Sequence, residues 1–385
     1  MSNRPIPPLL EMIRSLIATP SVSSVTPEFD MSNRPVVDLL ANWCEGAGFR
    51  VELQKLDAAP GKVNLIASLG RGDDGLALSG HTDTVPFDEA RWSSDPFKLR
   101  AADDRLYGLG SADMKSFFAF ALEAATQFAP TAFRRPLVLV ATADEESDMF
   151  GGRTLAGSGL PGVSRVVIGE PTRMRPVRMH KGILMESIRV LGQSGHSSDP
   201  ALGANAVEGM HAIVAALLDY RDEMQRAHRD EHFAVPLPTL NFGAIRGGDN
   251  PNRICGECEL HIDLRTLPGM KGNAVRDALH RRCRDALDGT PFRLEFRRLF
   301  EGIDAMETPA ESALVAAAER LTGAPSEAVS FGTEAPFFRE LGLDTIILGP
   351  GDIAQAHQPD EYLGLDMIAA ARDTFKRLIE EFCLK

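Results

Sequence analysis

Apolar residues recur at helical spacing over residues 9–18 and again over residues 36–47. Beyond them the pattern changes to short apolar runs separated by longer mixed stretches. Residues 65–69, 76–79, 137–142, 166–168 and 345–348 read as buried strands, and residues 114–128 and 311–321 as helices between them. Strands with continuous apolar runs, alternating with helices, predict an α/β domain with a mainly parallel sheet and helices on both faces. The middle of the chain differs. Residues 182–193 alternate as a strand does, residues 205–230 and 275–287 read as helices, and residues 239–244, 254–266 and 292–296 as further strands. That order predicts a small α+β domain of ferredoxin-like character over residues 179–298, inserted into a larger domain formed by residues 1–178 and 299–385.

Composition narrows the function. The chain has 385 residues, 44% of them hydrophobic and 25% charged, with a net charge of −13. The length suits two domains. The acidic balance argues against a nucleic-acid partner. No apolar run approaches the ~20 residues that span a bilayer, and the first ten residues lack the apolar core of a signal peptide, so the expected location is the cytoplasm. The five cysteines are scattered. Cys255 and Cys258 form one C-x-x-C, but no second pair stands near it, and its alternating surroundings read as a strand. No phosphate-binding glycine signature is present; Gly108-Leu-Gly110 is too short.

The chemistry gathers where the apolar strands end. After residues 76–79 come His81-Thr-Asp83; residues two apart in extended chain share a face, so Asp83 can stand behind the His81 ring, as carboxylates do behind metal-bound imidazoles. Asp113 follows a glycine-rich turn and fits either a helix cap or a carboxylate shared by two metals. The run 137–142 exits into Asp144-Glu145-Glu146, which needs solvent or a cation to neutralise it. Glu170 follows residues 166–168, and His357 lies in a loop after residues 345–348. Ligands of open α/β sheets bind at strand carboxyl ends, and imidazoles mixed with carboxylates suit zinc-like ions.

The segments His81-Thr-Asp-Thr-Val-Pro, Gly110-Ser-Ala-Asp-Met-Lys115, Ala143-Asp-Glu-Glu, Gly169-Glu-Pro-Thr, Gly195-His-Ser-Ser and Ala356-His-Gln-Pro-Asp-Glu361 resemble those of the di-zinc aminoacylase, carboxypeptidase and desuccinylase clan. Gly192–Pro200, Asn252-Arg-Ile-Cys255, Gly332-Thr-Glu-Ala-Pro-Phe337 and Gln355–Tyr362 are most similar to stretches of its acetylornithine-deacetylating branch. The resemblance implies two divalent metals, zinc with cobalt as a substitute. His81 and Glu170 would complete one site, Glu146 and His357 the other, with Asp113 bridging them and Asp83 orienting His81. Glu145 would be the general base for a hydroxide held between the metals, and the Asp113–Met114 peptide would be cis. The inserted domain would be a lid and dimerisation domain of a homodimer, with His196 reaching the partner's site.

The implied reaction is hydrolysis of N2-acetyl-L-ornithine to L-ornithine and acetate, as in arginine biosynthesis. Lys181, Asn252 and Arg265 are candidates for the substrate carboxylate, with Thr333 and Gly332 adding hydrogen bonds, and Glu334 and Asp352 are candidates for its ammonium. Related substrates remain open at this point: other N-acyl amino acids, acetylcitrulline, succinyl-diaminopimelate or a dipeptide. A metal-binding module without catalysis is disfavoured by Glu145 beside a full ligand set.

Overall fold

The computed structural model describes residues 6–57 and 59–385; the reading of the first ten residues falls partly outside them. The chain forms two units. One comprises Met1–Arg178, Thr308–Glu327 and Thr333–Lys385, the other Met179–Glu307 and Ala328–Gly332.

In the first unit the strands Arg50–Lys55, Val63–Leu69, Leu137–Thr142, Gly75–His81, Val163–Ile168 and Asp344–Ile347 lie side by side in that order. The last four run parallel. The first two are joined to them antiparallel, a flank that the sequence pattern leaves unspecified because Arg50–Lys55 alternates polar and half-buried positions without an apolar run. Alternate strand residues face opposite ways. Leu76, Leu78, Leu139, Ala141, Val167 and Ile346 join the core shared with helices Leu9–Ile17, Ser116–Thr126 and Asp366–Ile379. Ala77, Val138, Val140, Val166, Ile168 and Ile347 are buried as deeply on the other face, where helix Ala335–Glu340 packs on Asp344–Ile347 and helix Phe150–Ser158 packs on Ala335–Glu340. Both faces are therefore covered, which is why these strands read as unbroken apolar runs. Ser116–Thr126 is buried around nearly its whole circumference, as a helix apolar on all sides must be. A separate small sheet pairs Tyr362–Gly364 with Arg105–Tyr107, and that strand with Arg100–Ala102, all antiparallel.

The second unit is a four-stranded antiparallel sheet in the order Thr239–Gly247, Glu257–Thr266, Gly182–Leu191, Arg293–Ile303. Leu184, Ile188, Val190, Leu260 and Ile262 point to one face and share a core with Met210, Ile213, Leu217 and Leu279, which belong to helices Ala206–Ala227 and Gly272–Ala286. Cys258 lies in this core, and all five cysteines are buried and free. The unit runs to Glu307, past the boundary at Arg298 that the sequence suggests. Arg293–Ile303 is one strand, still pairing with Ile183 at its far end, but its register shifts between Arg298 and Phe300 and again before Ile303. Those shifts break the alternation by which a strand is recognised. Ala328–Gly332 joins the same unit, which no periodicity foretells. Among the described residues no helix is long and apolar enough to cross a membrane.

One contact ties the sheet of the first unit to its central helix. Phe117 is held edge-on by Phe118 and Phe375, with ring centroids 5.9 and 5.4 Å away, and its ring lies against Gly169, where a Cβ would overlap it. Gly169→Ala should therefore lower stability by about 1–3 kcal/mol, the usual cost of overpacking a filled core. A urea midpoint equal to that of the unsubstituted chain would contradict this packing.

Candidate metal centre

Four parallel strands deliver the acids and imidazoles from the same end. His81 is the last residue of Gly75–His81. Asp144, Glu145 and Glu146 follow Leu137–Thr142, Glu170 follows Val163–Ile168, and His357 lies in the loop after Asp344–Ile347. Asp113 arrives from the glycine turn. It does not cap the following helix, whose N-cap position is Lys115, and the Asp113–Met114 peptide is cis.

The side chains converge. His81 Nε2 lies 3.1 Å from Asp113 Oδ1 and 3.8 Å from Glu170 Oε1. His357 Nε2 lies 3.0 Å from Glu146 Oε2 and 3.6 Å from Asp113 Oδ2. The two oxygens of Asp113 thus face the two imidazoles separately. Ligand atoms of His81, Asp113 and Glu146 lie within 4.8 Å of one another, and so do those of His81, Glu145 and Glu170. Every one of these residues except His357 has a side chain at most partly exposed.

This crowding shifts the acids and bases strongly. Burial, then the neighbouring Glu170, Glu146 and Glu334, hold Glu145 well above the ordinary carboxylate range. Burial and Asp113 do the same to Glu170, and burial and Asp113 raise Glu146. Burial works against charge on His81, but Asp113, Glu170, Asp83 and Glu145 outweigh it and hold the imidazole well above its usual value. Donating a hydrogen bond to the Glu146 carboxylate lifts His357 to about 9. Four carboxyl groups crowded against two imidazoles are costly to ionise together in a largely buried space, and a divalent cation would relieve that cost. Nitrogen and carboxylate donors at these separations fit a pair of divalent ions.

Asp83 does more than the sequence suggests. The nearest acceptor to His81 Nδ1 is the backbone carbonyl of Asp83 at 3.0 Å, with its carboxylate at 3.7 Å. The other carboxylate oxygen accepts the Glu146 amide at 3.0 Å. One residue therefore braces a donor from each side of the centre.

Lys62 escaped the sequence reading. Its ammonium, buried, pairs with Asp144 and, at 2.5 Å, with Asp30. Asp144, at φ 61°, also accepts the Ser23 hydroxyl at 2.8 Å. The first acid of the triplet is thus paired with a lysine that it shares with Asp30, which leaves Glu145 and Glu146 to the centre. No spacing signals this, because Lys62 and Asp144 are 82 positions apart.

The candidates for substrate contacts are scattered over both units. In the first, Thr333 is buried and accepts the Ala335 amide at 3.1 Å. Glu334 is buried, shares a 2.7 Å hydrogen bond with the Thr142 hydroxyl, and is pushed by burial up to about 7. Asp352 accepts the Ala354 amide at 2.9 Å and faces Arg173 at 3.4 Å. In the second, Lys181 is buried, donates to the Leu237 carbonyl at 2.7 Å, and is lowered by burial and by nearby Arg265. Arg265 itself holds Asp263 with two hydrogen bonds of 2.8 and 3.0 Å. His196 and Asn252 share one loop cluster, in which the Asn252 carbonyl accepts the Ser197 amide at 3.1 Å. The His196 ring is exposed and bonded to Ser198 at 2.7 Å.

Residues 77–381 match the profile of peptidase family M20/M25/M40. The chain is 46% identical over 382 residues to an acetylornithine deacetylase of Proteus mirabilis (strain HI4320), covering 99% of this chain and 98% of that one. It is 45% identical to an acetylornithine deacetylase of Pasteurella multocida (strain Pm70), covering 98% and 99%. Its fold is similar to that of an M20 family metallo-carboxypeptidase from Sulfolobus solfataricus, with a TM-score of 0.74 and 17% identity over 97% of this chain and 99% of that one.

The brace behind the acid turn generates a prediction. Lys62→Met leaves Asp144 buried without its cation. It should cost about 3–5 kcal/mol, as removing one partner of a buried pair does, and kcat should fall with it. Unfolding by urea and steady-state kinetics check both, and a stable, fully active variant would contradict the brace.

Proposed function

The chain belongs to peptidase family M20/M25/M40, and on that premise we propose that it hydrolyses N2-acetyl-L-ornithine to L-ornithine and acetate, the activity its relatives' names describe, as a step of arginine biosynthesis. The observation that carries the reading is Asp113, whose two oxygens face His81 and His357 separately at 3.1 and 3.6 Å. That arrangement supports a carboxylate shared by two cations.

In this reading His81 and Glu170 hold one ion, Glu146 and His357 the other, and Asp113 both. Bound zinc, or cobalt in its place, supplies Lewis acidity and lowers the pKa of water toward ~7. Asp83 keeps the His81 ring in orientation through its carbonyl and carboxylate, as partners behind ligating imidazoles do. Glu145 takes the proton of the attacking water and returns it to the leaving amine, a role worth about 10²–10⁴ in rate. His196, contributed by a second copy in a homodimer, stabilises the oxyanion that forms on the acetyl carbonyl. Lys181, Asn252 and Arg265 of the second unit receive the substrate carboxylate, with Thr333 adding a hydrogen bond, and Glu334 and Asp352 are the acids nearest in character to an ammonium partner. The chain acts in the cytoplasm on a small acylated amino acid.

Glu145→Ala should keep two metal ions per chain by elemental analysis while kcat on N2-acetyl-L-ornithine falls by at least ~10²-fold. Loss of an ion would make Glu145 a ligand. Asp113→Ala should lose metal and activity together, and an active, fully loaded variant would overturn the shared carboxylate.

A further inference from the structure

The glycine turn ahead of Asp113 is shaped around a single side chain that the reading above leaves unused. Tyr362–Gly364 pairs antiparallel with Arg105–Tyr107, Tyr362 opposite Tyr107. That register sets Glu361 beside Gly108, and the Gly108 amide donates to the Glu361 carbonyl at 3.0 Å. Beyond this point the chain turns so that its amides point inward on the Glu361 side chain. Ala112 and Asp113 donate their N–H groups to one carboxylate oxygen at 2.7 and 2.9 Å, and Gly110 donates to the other at 2.9 Å. Gly110 adopts φ 82°, and a Cβ there would press on Thr84 and Lys115, so the turn tolerates no side chain at that position. Successive amides converging on one anion form a nest. Here the anion is internal, and Glu361 is 2% exposed.

We infer that Glu361 is the positioning residue of the metal centre: its carboxylate, seated in the nest of Gly110, Ala112 and Asp113, fixes the backbone of the shared ligand Asp113 to the segment that carries His357. The inference rests on the reading of Asp113 and His357 as metal ligands. The geometry makes the coupling direct. Glu361 stands four residues after His357 and bonds the amide of Asp113 itself. The two residues whose side chains meet at 3.6 Å are thereby tied together behind the centre as well as within it. Both oxygens of Glu361 face donors, which is the arrangement a carboxylate satisfies and a carboxamide does not. In Glu361→Gln the Nε2 hydrogens would meet an amide N–H head-on.

The test is titration of the metal-free protein with Zn2+ by calorimetry, with no substrate present. Glu361→Gln should fold, as judged by circular dichroism and a single thermal transition, yet bind zinc 10- to 100-fold more weakly, the usual effect of losing a group that orients a ligand. Its kcat on N2-acetyl-L-ornithine should fall, and added zinc should recover part of it. A role confined to holding the fold would lower the melting temperature of the metal-free protein and leave zinc affinity untouched, so a folded Glu361→Gln with unchanged affinity overturns the inference. If Glu361→Gln does not fold, Glu361→Asp replaces it. That variant keeps the charge but is one methylene too short to span the nest, so the same loss is expected, and unchanged affinity overturns the inference again. If the unsubstituted chain binds no pair of ions, the metal-centre reading fails first, and that result is visible before any variant is measured.

Discussion

Buried carboxylates repel one another, and Asp113, Glu145, Glu146 and Glu170 are gathered within reach of only two imidazoles. Burial and mutual repulsion push Glu145, Glu146 and Glu170 upward together. A fold that assembles such a group carries an electrostatic cost at Glu145, Glu146 and Glu170, and a divalent pair would offset it. The remaining features of the site follow from that constraint. Rigid parallel strands bring the acids to one end, and partners behind the donors keep each in place.

Those partners divide the labour. Lys62 takes Asp144 out of the charge balance at the centre. Asp83 holds the His81 ring on one side and the Glu146 amide on the other. Phe117, packed against Gly169, fixes the strand end from which Glu170 projects. Lys62 and Phe117, and Asp83 where it holds the Glu146 amide, come from segments remote in sequence from what they hold, so the centre draws its geometry from several parts of the first unit rather than from any one loop.

The part legible in the sequence is the part that a local pattern encodes. Apolar runs buried on both faces mark the parallel strands, and the acids stand directly after them, so His81, Glu145, Glu146 and Glu170 could be found by reading strand exits. The antiparallel flank at Arg50–Lys55 lacked such a run. The second unit extends to Glu307, and register shifts in Arg293–Ile303 interrupt the alternation that would carry the strand beyond Arg298 in the sequence. Asp113 fits a cap as well as a ligand in the sequence, and the helix start at Ser116, with Lys115 at the N-cap, removes the cap. Lys62 and Ser23 leave no trace in spacing, since their partner Asp144 lies 82 and 121 positions away. Glu361 lies in the same segment as His357, yet the partners of its carboxylate are the amides of a turn some 250 positions earlier.

The central claim is that Asp113 is shared by two cations. Anomalous X-ray diffraction from crystals of the zinc-loaded protein tests it most directly. Two peaks are expected about 3.5–4 Å apart, the spacing of two-metal hydrolytic sites, one on each side of the Asp113 carboxylate. A single peak held by His81, Glu145 and Glu170, with Asp113 unbound, would contradict it.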